Sequence, residues 1–102
     1  MTTLAESEAT DLRDKLVKQE ALGGIWRKQA FVTYANYVMQ EHVVPYQDWY
    51  TDSAIVARLN HLGIPVFRGP GPWTTDKLRG IRKAQPRHIR DLVDKRARRT
   101  VS

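Results

Sequence analysis

Residues 51–82 read TDSAIVARLNHLGIPVFRGPGPWTTDKLRGIR. Two helix patterns lie in this stretch, each with its own start and stop. Thr51 is a good N-cap, and Asp52 sets a negative charge in the first turn, where the helix dipole favours it. Ile55, Val56, Leu59 and Leu62 then fall on one face, and Gly63 is placed as a C-cap glycine. The spacing predicts a helix over 52–62. Pro65, Gly69, Pro70, Gly71 and Pro72 exclude helix from the connector. Ile64, Val66 and Phe67 allow a short extended, wing-like piece, which Pro keeps from forming a long ladder. Thr74 or Thr75 caps a second helix, with Asp76 early in it and Leu78 and Ile81 as its apolar positions. Its remaining surface is basic, from Lys77, Arg79, Arg82 and Lys83. One bracing helix followed by a basic one suits a helix-turn-helix that enters a DNA groove.

The flanks supply scaffold. Ala9, Leu12 and Leu16 share a helical face, which predicts a helix over 10–21 after a loose first ten residues. Gly23 and Gly24 interrupt it. Trp26, Ala30, Tyr34 and Val38 recur every three to four residues, with Phe31, Ala35 and Met39 beside them, and predict a wide-striped core helix from 25 to about 41. Pro45 ends that helix. Tyr46, Trp49 and Tyr50 form an aromatic connector expected to pack beneath the next helix. After Pro86, Ile89, Leu92 and Val93 keep helical spacing, and from residue 95 the chain is a polar, basic tail expected to be flexible. The fold class expected is all-α: one small helical domain over 11–94, with the helix-turn-helix at 51–83.

Length and composition narrow the functions. A chain of 102 residues, 41% apolar, supports one small core. There is no Cys, so disulfides and thiolate metal sites are excluded, in keeping with a cytoplasmic protein. No stretch approaches a membrane span, and the acidic, polar start is unlike a secretory signal. The net charge of +6 is polarised, with −2 over residues 1–22 and +7 over residues 75–102. Such a basic end favours a polyanionic partner, nucleic acid first.

Catalytic patterns are weak. His42, His61 and His88 stand far apart without metal-ligand spacing. Ser7, Ser53 and Ser102 have no visible base partner. The Gly-Pro-Gly-Pro run is too proline-rich to present successive amides to a phosphate. No enzyme, metal or cofactor is expected.

The string Ile55, Leu59, Asn60, Gly63, Ile64, Pro65, then Arg68, Gly69, Trp73, Thr74, then Leu78 and Ile81, resembles the helix-turn-helix of the recombinase domain in large serine recombinases. The likeness covers about a third of the chain. It implies a DNA-binding module without strand cleavage, because the family's catalytic domain, its Arg-Val-Ser nucleophile motif and its zinc-ribbon cysteines have no counterpart here. Val56 replaces the family's usual small Ala, and the connector carries extra prolines.

The DNA-contacting residues expected are Thr75, Lys77, Arg79, Arg82 and Lys83 on the second helix, Arg68 in the connector, and Arg87 and Arg90 beyond it. Arg79 suits bidentate contact with guanine, and Lys77, Arg82 and Lys83 suit phosphates. Arg68 serves either the DNA backbone or a surface ion pair. The resulting expectation is a non-catalytic double-stranded-DNA-binding regulator or recombination accessory. One such unit offers few base contacts, so a homodimer through the 25–41 stripe or a repeated site is expected. The rival is an adaptor or small subunit, with the aromatic residues of 25–50 (Trp26, Phe31, Tyr34, Tyr37, Trp49, Tyr50) as a sticky surface for a protein partner. A basic RNA-binding protein is a third reading.

Overall fold

The computed structural model describes residues 3–85, and within them the fold is all-α. Four α-helices follow in order: α1 (Leu4–Glu20), α2 (Ile25–Val38), α3 (Asp52–Leu62) and α4 (Thr75–Lys83). A π-helical turn, Met39–Val43, extends α2. The predicted segment around Ile89, Leu92 and Val93 and the basic tail lie outside the described residues.

α1 starts six residues before its predicted position. Thr3 caps it by accepting from the Glu6 N–H at 2.9 Å, the first half of a Thr-x-x-Glu capping pattern. The same Thr3 hydroxyl donates to the Leu62 carbonyl at 3.0 Å, joining the start of α1 to the end of α3. Ala9 and Leu16 are buried, and Ala5 and Leu12 pack beside them, so the predicted stripe simply runs one turn further back.

Gly23 and Gly24, both at positive φ, turn the chain into α2. α2 buries Ala30, Tyr34, Ala35 and Val38, and lies against α1. The buried Tyr34 hydroxyl donates to the Pro65 carbonyl, which fixes the connector to the core helix. Burial pushes the Tyr34 phenol well above its ordinary value, so it remains a donor throughout the usual pH range.

Helical structure passes the predicted stop near Glu41. Pro45 has no N–H to return to the Glu41 carbonyl, and the turn before it widens instead. The Val44 N–H reaches back five residues to Met39 at 2.8 Å. This wider turn buries Met39, His42 and Val43. The aromatic connector that follows divides its rings. Tyr46 is half-buried against the core, whereas Trp49 is 81% exposed and Tyr50 57% exposed, which corrects the expectation that all three pack under α3.

α3 follows the sequence closely. The Thr51 hydroxyl accepts from the Ala54 N–H at 3.2 Å. Gly63 takes the left-handed conformation at φ 75°, and the Ile64 N–H bonds back to Leu59 at 3.1 Å, closing a Schellman-type end. A side chain at Gly63 would also meet the Glu6 carboxyl, 2.9 Å from the Cβ position.

The connector forms no wing: no strand occurs among the described residues. Side chains fix it instead. Ile64, Val66, Phe67 and Trp73 are buried in the core. Asn60 pairs with both backbone groups of Trp73, accepting from its N–H at 2.8 Å and donating to its carbonyl at 3.1 Å. The Trp73 indole donates to the Ile64 carbonyl at 2.8 Å. Side chains and turn bonds therefore satisfy the backbone groups of Ile64, Pro65 and Trp73 without a ladder. Thr74 caps α4, accepting from the Lys77 N–H at 3.2 Å, and Leu78 and Ile81 seat the helix.

Candidate nucleic-acid interface

Leu78 and Ile81 fix the rotation of α4, and the helical period of 100° per residue then assigns every other side chain. Thr75, Asp76, Arg79, Gly80 and Lys83 fall on the outward arc, and all five are exposed. Thr75, Arg79 and Lys83 follow one another four residues apart, as a single stripe. The Arg79 side chain is 69% exposed, and its contact with Asp76, at 3.9 Å, is loose. An exposed pair of this kind is worth well under about 1 kcal/mol and does not hold the guanidinium. At Gly80 nothing lies within 4 Å of the place a Cβ would occupy, so one edge of this face, next to the cavity beside Phe67 and Trp73, is bare backbone.

The other predicted cations are engaged by the protein itself. Arg82 makes a two-pronged pair with Asp52, both N–O distances 2.8 Å, clamping the last turn of α4 to the first turn of α3. Those hydrogen bonds hold the Asp52 carboxyl below its ordinary value, with the nearby charges of Arg82 and Arg79 assisting against partial burial. The Lys77 ammonium donates to the carbonyls of Pro70, at 3.2 Å, and Pro72, at 3.0 Å, pinning the connector to α4. Arg68 pairs with Glu20 at the end of α1, so of its two predicted roles the ion pair is the one seen. The structure therefore brings Thr75, Arg79 and Lys83 together on one face, and makes braces of Lys77, Arg82 and Arg68. Arg87 and Arg90 lie outside the described residues.

A second polar cluster was not foreseen. The Arg58 guanidinium stacks 4.0 Å above the Tyr46 ring and donates to its hydroxyl at 3.0 Å. It also lies 3.3 Å from Nδ1 of buried His42. Arginine only donates, so His42 accepts at Nδ1 and carries its proton on Nε2. Burial first, and the Arg58 charge second, push the His42 pKa below its ordinary value. Tyr37 meets the imidazole edge-on at 5.8 Å. The cluster anchors α3 to the π-helical turn. No spacing rule signals it, because its members come from three separate segments.

The aromatic set of residues 25–50 is not one surface. Phe31 packs on Phe67 with ring centres 5.8 Å apart, and Tyr34 on the same ring at 5.6 Å. Trp26, Trp49 and Tyr50 alone of the six are substantially exposed. Among the described residues no group of His, Cys, Asp or Glu gathers to hold a metal ion, and no helix is long and apolar enough to cross a membrane. No protein-family model, curated protein or solved structure matches the chain.

Proposed function

We propose that this chain is a non-catalytic, cytoplasmic protein that binds double-stranded DNA through α3, the connector and α4, used as a helix-turn-helix. Its setting would be transcriptional regulation or recombination. The observation that carries the reading is the outward stripe Thr75–Arg79–Lys83 on a helix braced by Asp52, Asn60 and Lys77. A helix of nine residues is about 13 Å long, which suits a major groove about 12 Å wide. The bare backbone at Gly80 allows close approach to the DNA. The polarised charge supplies attraction that does not depend on sequence.

In this account Arg79 reads a guanine through its two-pronged guanidinium, Lys83 meets a phosphate, and the Thr75 hydroxyl bonds to a phosphate or base edge. Arg82, Lys77 and Arg68 position these groups. The resemblance of residues 55–81 to the recombinase-type helix-turn-helix supports the same assignment. Selection from randomised duplexes tests it. The native chain should enrich a short motif containing guanine, and Arg79→Ala should lose the preference at one base pair, worth about 1–3 kcal/mol. Enrichment of no motif, or the same motif with Arg79→Ala, would reject Arg79 as the reading residue.

A further inference from the structure

The outward side of α2 carries a feature the DNA reading does not use. An open groove of ≈ 830 Å³ lies there, with Ile25, Phe31 and Val32 as its apolar lining and Arg27, Lys28 and Arg68 at its edges. A smaller cavity of ≈ 200 Å³ shares Phe31 and Arg68 with it and runs inward beside Phe67, Trp73 and Ile81. Ile25, which lines the groove, is 75% exposed, and Leu22, three residues earlier in the chain, is 73% exposed. Exposed apolar area contiguous with a cavity marks an interaction surface.

Charge selects the occupant. No carboxylate among the described residues lines either space. Glu20 is paired with Arg68, and Arg27 and Lys28 have no ion-pair partner among the described residues. An apolar strip bordered by unpaired cations fits a chain that presents carboxylates beside large apolar side chains. A DNA backbone would meet the cations but gain nothing from Ile25, Phe31 and Val32. The chain's own residues 86–102 carry six bases against two acids and would be repelled.

We propose that this groove docks an acidic, amphipathic segment of a partner protein. Its carboxylates meet Arg27 and Lys28, and one bulky apolar side chain enters the smaller cavity between Phe67 and Trp73. Arg27 and Lys28 belong to α2, away from the Thr75–Arg79–Lys83 stripe, so the charged contacts to DNA and to the partner come from different helices, although the smaller cavity also touches Lys77 and Gly80 of α4.

Random-peptide display against the full chain at low salt tests this. Enriched peptides should combine Asp or Glu with Leu, Phe or Trp. A synthetic copy of the most enriched one should bind the native chain, with affinity falling as salt rises. An Arg27→Glu, Lys28→Glu double variant and Ile25→Glu should each weaken it by at least about tenfold. All three positions are exposed, so thermal melting by circular dichroism should show them folded. Arg79→Ala with Lys83→Ala should leave peptide binding unchanged. The proposal is overturned if no peptide enriches, if enriched peptides are basic, or if these α2 variants leave peptide binding intact. It is equally overturned if they abolish duplex DNA binding or self-association instead. A nitroxide at Ser102→Cys, the only thiol in the chain, should not broaden the amide signals of Ile25–Val32; broadening would make the tail the occupant and refute the partner.

Discussion

Asn60 shows how one side chain can define a connector. Its amide matches both polar groups of the Trp73 backbone, in a segment that has no ladder to satisfy them. Asn60→Ala leaves that N–H and carbonyl unpaired at a largely buried position, and should cost about 1–3 kcal/mol, read as a lower urea midpoint. Gly80 predicts the opposite sign. Nothing in the fold opposes a methyl group there, so Gly80→Ala should stabilise the protein by up to about 1 kcal/mol, seen as a higher melting temperature. The same change should weaken duplex binding, because it raises the face that approaches DNA.

His42 links one residue to pH. Its folded pKa is depressed, so the unfolded chain takes up the proton first, near the ordinary imidazole value of about 6.5. Stability should be fully present above that pH and should be lost as pH falls through the folded value. Burial of the imidazole is the main physical reason, and the Arg58 guanidinium 3.3 Å away adds to it. Melting temperatures measured from pH 7.5 down to 5 should show the fall, and His42→Phe should remove it. An unchanged slope in that variant would assign the effect elsewhere.

At the scale of elements, caps and periodicity carried most of the information. Thr51 and Gly63 bound α3, Thr74 starts α4, and the Tyr34 stripe builds α2. The start of α1 was missed because Thr3 and Glu6 lie in a polar run with no large apolar residue buried until Leu16. The π-helical turn was missed because Pro45 signals a stop, not the wider turn that buries His42 on the way to it. Partners distant in sequence were the least legible. Arg82 and Asp52 are 30 residues apart, and Lys77, Arg82 and Arg79 are equivalent as letters. Only the rotation of α4 on Leu78 and Ile81 separates braces from free groups. A double-mutant cycle with Asp52→Ala and Arg82→Ala should give a coupling of about 0.5–1.5 kcal/mol, since the two-pronged geometry is good but both groups are partly exposed. Arg82→Lys should restore the charge but recover only part of that coupling.

Across the whole molecule, charge is unevenly spread, with −2 over residues 1–22 and +7 over residues 75–102. Five of the eleven acids lie in the first 22 residues, and Glu20 and Asp52 neutralise two of the bases internally. Of the predicted contact residues, those left facing outward on α4 are Thr75, Arg79 and Lys83. That division is invisible in the composition, and it is what the proposed DNA contact rests on. The direct measurement is binding to a random-sequence duplex over a salt series, for the native chain and for the Arg79→Ala, Lys83→Ala double variant. The native chain should lose affinity steeply with salt, and the variant should show a logarithmic slope shallower by about 0.9 for each phosphate contact removed. Undetectable duplex binding at low salt, or identical slopes for the two proteins, would contradict DNA binding through this face of α4.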